Sequence, residues 1–334
     1  MSVTAKELAK ALNLSEAAVS LALNNKPGVS TATRQRVLKA AREMGYDFTR
    51  KAILHDRKGV ICFAVYKETG IVVSDTPFFS SLSEGISIRC KKEQYDLVVK
   101  YLYEGEDLPE QIFRLKTGRF SGIILLATEM ELPTLRHFEN FQTPLVILDT
   151  CFETLDYTCV LINNTQGAFL ATTHLIRKHQ TQPGYLRSSY AIGNFEERAN
   201  GFYKAIRASG MSPAKSIVHR LSPSEEGAYA DMKSLIQAGE ELASCYFADN
   251  DHIAIGAMNA LKEAGYRIPE DIAIVGFDDL PVCEYLSPPL TTVHVPKLFM
   301  GEIAAEQIIQ ILEGAGSIPV KIQIGTTLKK RKSG

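Results

Sequence analysis

Residues 3–46 read VTAKELAKALNLSEAAVSLALNNKPGVSTATRQRVLKAAREMGY, and their caps and apolar spacing predict three short helices around a very small core. Thr4 followed by Glu7 is a capping box, in which each side chain satisfies a free amide at a helix start. Val3 and Leu8 occupy the positions of a hydrophobic staple across the same start. The first helix runs to about Leu12 and stops at Asn13, a residue that tolerates a left-handed turn. Ser15 caps a second helix, stapled by Leu14 and Val19. A third begins near Ser30 or Thr31 and ends at Gly45. Two helices joined by a tight turn, with a third behind them, describe a helix-turn-helix.

At 100° per residue, Val19, Ala22 and Leu23 share the inward face of the second helix. Ala17, Leu21 and Asn24 point outward, with Glu16 and Ser20 at the edges. An outward Leu in so short a helix needs a reason. In a helix-turn-helix that face enters the major groove of DNA; the alternative is a small helical bundle that binds protein. Charge bears on the choice. Residues 1–60 carry eleven Lys/Arg and five Asp/Glu, leaving 26 basic and 33 acidic residues in the remainder. A basic head on an acidic body suits a phosphate backbone.

The length of 334 residues implies two or three domains. No run of about eighteen apolar residues is present, so no membrane span is expected, and no secretory leader is visible. The six cysteines are scattered without C-x-x-C spacing, mostly inside apolar runs. They read as reduced core residues of a cytoplasmic protein.

A basic linker (47–59) contains Arg50, Lys51, Arg57 and Lys58. From Val60 onward, short apolar runs alternate with amphipathic segments. Strands are expected at 60–66, 95–102, 121–127, 144–149 and 158–163, with helices near 80–94, 108–117 and 131–140. A second set follows, with strands near 184–188, 215–221, 243–248, 272–277 and 291–295. Its helices fall at 194–210, 224–238, 250–265 and 297–313, and 318–325 reads as a last strand. This alternation predicts two doubly wound parallel-sheet lobes, and ligands of such sheets bind beyond the carboxyl ends of the strands. Asp149, Asn250, Asp251, Asp278 and Asp279 fall at such ends. Each could cap the next helix, and Asp251 is read as a cap. Together they suit a hydroxyl-rich ligand, since a carboxylate accepts several hydrogen bonds.

Enzyme signatures are absent: no GxxxxGK[ST], GxGxxG after a strand, HExxH or GxSxG is found. Asp249-Asn250-Asp251 begins like a calcium loop, but Ala254 and Ala260 stand where the turn Gly and closing Glu belong. The seven histidines show no metal-ligand spacing. Neither a metal nor a cofactor is expected.

The head resembles the DNA-binding head of the lac-repressor (LacI/GalR) family. Its most specific pieces are Val19-Ser20, Leu23-Asn24, Lys26-Pro27-Gly28-Val29-Ser30, and Thr33-Arg34 through Gly45-Tyr46. The resemblance continues through TPFFSSLSEGI (76–86), GNFEERANGFYKAI (193–206) and the long segment from Asp249 to Glu306. It implies an α/β body of periplasmic-binding-protein type behind an all-α helix-turn-helix head. The implied divisions are 1–46 for the head, 47–59 for the hinge and 60–334 for the body. Within the body, the first lobe takes about 60–162 and 296–314, and the second about 163–295 and 315–328.

The DNA-binding residues then expected are Thr4, Ser15, Glu16, Ala17, Ser20, Leu21 and Asn24, with Arg50, Leu54 and His55 in the hinge. Phe78, Phe79, Asp149, Arg198, Asn250 and Asp278 fall on effector-binding positions. Three departures stand out. Leu21 sits where Arg or His is common in the family, and should read a thymine methyl. The hinge begins Asp47-Phe48 rather than Pro-Asn, and Ala52-Ile53-Leu54-His55 replaces Ala-x-x-Leu, so Leu54 is expected as the minor-groove wedge with His55 near a phosphate. No leucine-heptad tail follows the last strand, so a tetramer is not implied.

The expected function is a cytoplasmic, homodimeric transcriptional regulator, a repressor, that binds a palindromic operator under the control of a sugar held between two lobes. The alternatives are a purine- or nucleoside-responsive regulator, a sugar-binding protein without DNA affinity, and a nucleotide-sugar enzyme.

Overall fold

The computed structural model describes residues 3–23, 28–44, 46, 57–73, 77–139, 141–316 and 318–334. The chain forms two compact units, Met1–Lys58 and Gly59–Gly334.

The first unit contains α1 (Ala5–Leu12), α2 (Glu16–Leu23) and α3 (Thr31–Glu43). The Thr4–Glu7 capping box is formed in both directions, and Asn13 ends α1 in the left-handed region at φ 53°. The Ser15 hydroxyl accepts the Ala18 amide at 3.1 Å, and the Ser30 hydroxyl accepts the Thr33 amide at 3.1 Å. α3 stops at Glu43 with Met44 as its cap; the expected stop, Gly45, lies outside the described residues. The core is the side chains of Leu8, Ala9, Val19, Ala22, Val37 and Ala41. So small a core leaves little margin, and backbone ties supplement it. Arg36 donates to the Leu12 carbonyl at 2.7 Å, closing the carboxyl end of α1, and Val3 bridges to Tyr46.

The second unit has two lobes of the same construction. The first contains β1 (Gly59–Lys67), α4 (Pro77–Lys92), β2 (Tyr95–Tyr103), α5 (Leu108–Thr117), β3 (Gly122–Leu126), α6 (Leu132–Leu135), β4 (Leu145–Leu148) and β5 (Thr158–Ile162). The second contains α7 (Asn164–His179), β6 (Gly184–Ser188), α8 (Gly193–Ala208), β7 (Val218–Leu221), α9 (Glu225–Gln237), β8 (Cys245–Ala248), α10 (Asp251–Glu263), β9 (Ala273–Asp278) and β10 (Thr291–His294). α11 (Lys297–Leu312) then packs against α4, and β11 (Lys321–Ile324) and β12 (Thr327–Lys329) end the chain.

The strand orders are β11-β5-β4-β3-β1-β2 and β12-β10-β9-β8-β6-β7, so the five leading strands of each lobe follow one pattern. Among the described residues only β12 runs antiparallel, against β10. In the central strands of the first sheet, alternation is strict and apolar on both faces. Ile61, Phe63 and Val65 of β1 enter one core while Cys62, Ala64 and Tyr66 enter the other, as a sheet covered by helices on both sides requires.

Two expectations on the body change. The strand expected at 318–325 is Lys321–Ile324, and it pairs with β5 in the first sheet. The boundary that gave 315–328 to the second lobe is therefore corrected: of that stretch only the residues from Thr327 join the second sheet. The segment at 131–140 forms a single helical turn followed by a 3-10 turn (Arg136–Phe138) rather than a full helix. The chain crosses between lobes three times, between β5 and α7, β10 and α11, and β11 and β12.

Glycines set the closeness of α4 and α11. A Cβ on Gly85 would lie 2.0 Å from the Leu298 carbonyl oxygen, and one on Gly301 would lie 2.2 Å from that of Leu82. Backbone atoms cannot move aside as side chains do. Gly301→Val should lower stability by about 3 kcal/mol or more, read as a fall in the urea midpoint. Gly105→Ala, with nothing within 4 Å of its added Cβ, should stay within about 0.5 kcal/mol of the native chain.

Candidate functional site

On α2, Ser15, Glu16 and Ala17 are exposed and Ser20 is half-buried. Thr4 is exposed, with its hydroxyl committed to Glu7. Leu21 is half-buried rather than fully outward. Gly28 turns back beneath it at φ +116°, where an added Cβ would come within 3.1 Å of Leu21 Cδ1. Leu21 thus has a packing partner that helical periodicity alone does not reveal. Asn24, Arg50, Leu54 and His55 lie outside the described residues.

In the body, the carboxyl ends of both sheets face a common, nearly closed cleft of about 40 Å³. All six expected effector residues line it: Phe78, Phe79, Asp149, Arg198, Asn250 and Asp278. Phe78 is also part of the core, and the two Phe rings meet edge-on with centroids 5.0 Å apart.

Arg198 forms the floor. Its Nε donates to Asn164 Oδ1 at 2.9 Å, one Nη donates to the Asp249 carbonyl and the other to Asp278 Oδ1 at 3.3 Å. The guanidinium carbon stands 3.8 Å from the Phe277 ring centroid, within cation–π range. Asp249 is fully buried behind it, accepting from the Tyr185 hydroxyl and, at 2.7 Å, from the Ser188 amide.

Asp149 lies across the cleft at φ 71°. One carboxylate oxygen accepts the Thr128 hydroxyl at 2.7 Å, while the other is buried without a hydrogen-bond partner. Burial raises its pKa to about 7, with the charge of Asp278 adding and Thr128, Arg198 and the nearby Asn194 side chain opposing. Burial likewise raises Asp278, against the pull of Arg198.

The capping role read for Asp251 falls to its neighbour. Asn250 is the cap of α10, accepting the Ile253 amide at 2.8 Å. Asp251 is not the cap. It is fully buried and ties down the chain after β9 by accepting the Leu280 amide at 2.8 Å and the Thr292 hydroxyl at 2.6 Å.

Val72, Thr128, Ile192, Asn194, Phe195, His252 and Leu280 also line the cleft and were not singled out from sequence. Thr128 carries the same signal as Asp149, a polar residue just past an apolar strand. Asn194 and Phe195 precede Arg198 by about one helical turn and so share its face. Val72, in a loop, has no such signal. No group of three His, Cys, Asp or Glu among the described residues could hold a metal, and the six cysteines are free.

Residues 4–47 match the bacterial regulatory proteins of the lacI family, and residues 172–334 match the periplasmic binding protein-like domain. The HTH-type transcriptional regulator GalS of Salmonella typhimurium is 29% identical over 334 residues, covering 99% of this chain and 96% of that protein. The HTH-type transcriptional repressor PurR of Aliivibrio salmonicida is 28% identical, covering 92% and 91%. The chain thus joins a lacI-type DNA-binding head to a periplasmic-binding-protein-like body. Its fold matches the Lac repressor dimer bound to operator and the anti-inducer ONPF with TM-score 0.80 at 22% identity, over 100% of this chain and 99% of that one. The transcriptional regulator CelR in its cellobiose complex aligns with TM-score 0.75 at 25% identity, over 99% and 100%. The protein is thus a DNA-binding transcriptional regulator and not an enzyme.

The buried acid of this regulator gives its stability a defined pH dependence. With Asp149 raised from 3.8 to about 7, the fold keeps a proton that the unfolded chain has lost, so stability drains away as pH rises from about 4 through 7 and is level above. Asp149→Asn cannot ionise. It should be more stable than the native chain at pH 8 by roughly 1–4 kcal/mol, with the difference closing toward pH 4. Urea unfolding at several pH values reads this, and a pH-independent difference would place the titration elsewhere.

Proposed function

We propose that the regulator binds a palindromic operator as a homodimer through the outer face of α2, and represses under the control of a sugar held between its lobes. The observation that carries the effector reading is the buried Asp149 oxygen, which has Asn194 nearby but accepts no hydrogen bond of good geometry. A buried acceptor of that kind costs about 1–3 kcal/mol until a donor reaches it. A ligand hydroxyl supplies that donor without bringing a charge. The cleft holds two carboxylates, Asp149 and Asp278, against one guanidinium, which disfavours an acidic ligand. Phe78, Phe79, Ile192 and Phe195 offer apolar walls to the faces of a ring.

The relatives point the same way. A structure of a LacI family regulator from Enterococcus faecium holds ribose, at 24% identity and TM-score 0.69. A purine would use the same aromatic walls, and nucleobases and nucleosides belong in the same ligand screen. The effector residues proposed are Phe78, Phe79, Asp149, Arg198, Asn250 and Asp278. The DNA-facing residues proposed are Thr4, Ser15, Glu16, Ala17, Ser20 and Leu21, with Asn24, Arg50, Leu54 and His55 carried by the family resemblance alone. The proposed location, on the strength of operator binding, is the cytoplasm; no helix among the described residues is long and apolar enough to cross a membrane.

Ligand binding is read by melting temperature, since a ligand at a hundred times its dissociation constant adds about 2.7 kcal/mol of stability. Asp149→Ala should abolish the shift given by the active sugar. Arg198→Ala is the poorer test, because it strips Asn164, Asp249 and Asp278 of a shared donor and lowers stability as well. A screen in which only acidic ligands shift the melt would overturn the sugar reading.

Operator affinity should fall by roughly three to five decades between 50 and 200 mM salt if six to ten phosphates are contacted. Deleting residues 1–46 should abolish it. Leu21→Ala should weaken binding most at operators with thymine at one symmetric position; uniform weakening would assign Leu21 to its contact with Gly28 instead.

A further inference from the structure

One feature of the body belongs neither to the core nor to the cleft lining. Glu129, three residues beyond the last ladder pair of β3, is 2% exposed. Its Oε2 accepts the amides of Glu68, Thr69 and Gly70 at 2.9, 3.2 and 2.9 Å. Its Oε1 accepts those of Val72 and Val73, each at 2.8 Å. Five backbone donors converge on one carboxylate, so a single side chain dictates the path of the loop after β1. An amide loop of this kind has no ladder of its own, and its donors would otherwise be left to water.

The loop has two outlets. Val72 forms part of the cleft wall. At its other end, Glu68 Oε2 accepts the Tyr190 hydroxyl at 2.5 Å, and Tyr190 follows β6 in the second lobe. That bond joins the lobes by residues outside the ligand-lining set. Thr128, the neighbour of Glu129, holds Asp149. Two adjacent residues at the end of β3 therefore fix an acceptor of the cleft and the loop that borders it.

We propose that Glu129 is the positioning residue of the first lobe's half of the cleft, and that Glu68 and Tyr190 form a lobe-to-lobe latch set by it. The consequence for ligand affinity rests on the effector reading above; the consequence for loop order and lobe apposition does not. Glu129→Gln keeps the size of the side chain but turns one acceptor into a donor, so two or three of the five amides lose their partner. Tyr190→Phe removes only the latch hydroxyl.

The full-length, ligand-free protein is followed by amide hydrogen exchange and small-angle scattering. Glu129→Gln should speed exchange across residues 68–73 by at least roughly ten-fold, with β3 and β4 unchanged. Tyr190→Phe should leave exchange at residues 70–73 as in the native chain and increase the radius of gyration. If Glu129→Gln does not fold, Glu68→Gln tests the latch alone, and should reproduce the Tyr190→Phe scattering.

With ribose, cellobiose or whichever neutral saccharide of a panel stabilises the native chain, each single variant should lose roughly three- to ten-fold in affinity. The double variant should lose no more than Glu129→Gln alone, because both changes act through Glu68. Unchanged exchange in Glu129→Gln would overturn the positioning role. Unchanged scattering in Tyr190→Phe, or fully additive losses, would overturn the latch. If no saccharide binds but the ligand-free readouts respond, the latch stands and the sugar reading falls.

Discussion

The cleft depends on one buried cation. Arg198 is 3% exposed and spends its donors on Asn164, the Asp249 carbonyl and Asp278, with its flat face against Phe277. As a source of stability such a pair is a poor investment, since desolvation offsets much of the attraction. What it provides is placement, because the planar fork holds three groups at once. The surrounding acids outnumber it. Asp249 and Asp251 are raised to about 6 and 7, each chiefly by burial. A single guanidinium amid several desolvated carboxyls makes a floor that accepts hydrogen bonds and repels anions.

The shared strand order explains why the acids meet. β4 and β9 are the fourth strands of their lobes, and an aspartate with positive φ stands at or just past the end of each, 71° at Asp149 and 111° at Asp278. For residues with a Cβ such backbone costs on the order of 1–3 kcal/mol. It recurs at equivalent ends of the two sheets, and both residues line the cleft. The third strands repeat the theme, with Thr128 and Glu129 after β3 and Asp249 and Asn250 after β8. In each pair one residue reaches inward to brace the site and the other is offered to, or secures, a loop.

What was legible in the sequence was what is local. The capping box at Thr4, the left-handed stop at Asn13 and the cap at Ser30 each involve partners within a few residues. The apolar runs of β1, β3 and β4 declare a doubly covered sheet, and polar residues at strand ends declare a cleft. The rest was hidden by distance along the chain. Nothing near Lys321 says that β11 crosses back to the first sheet. Glu129 looks like an ordinary surface acid until the loop 60 residues earlier closes over it. Asp251 and Asn250 are both plausible caps, and only the approach of Leu280 and Thr292 decides between them. Leu21 reads as outward because periodicity does not know that Gly28 returns beneath the helix.

Regulation by a small molecule requires that the ligand prefer one arrangement of the lobes, since equal affinity for both shifts nothing. The cleft builds in that preference by dividing its contacts. Phe78, Phe79, Thr128 and Asp149 come from the first lobe, whereas Asn194, Arg198, Asn250 and Asp278 come from the second. A ligand spanning both sets gains all of them only when the lobes are apposed. The three crossings limit how the lobes can part: the strands and helices they join, β5 to α7, β10 to α11 and β11 to β12, are separated by one or two residues. Connectors so short absorb rotation at a few dihedrals and permit little sliding, so the accessible motion is of hinge type. An opening of that kind moves the ends of loops farther than the floor beside the crossings. The Glu68–Tyr190 pair, made between loop residues, would then separate more than the Arg198 cluster beside the second sheet. A weak bond far from the hinge can therefore bias lobe apposition without contributing much to the stability of either lobe.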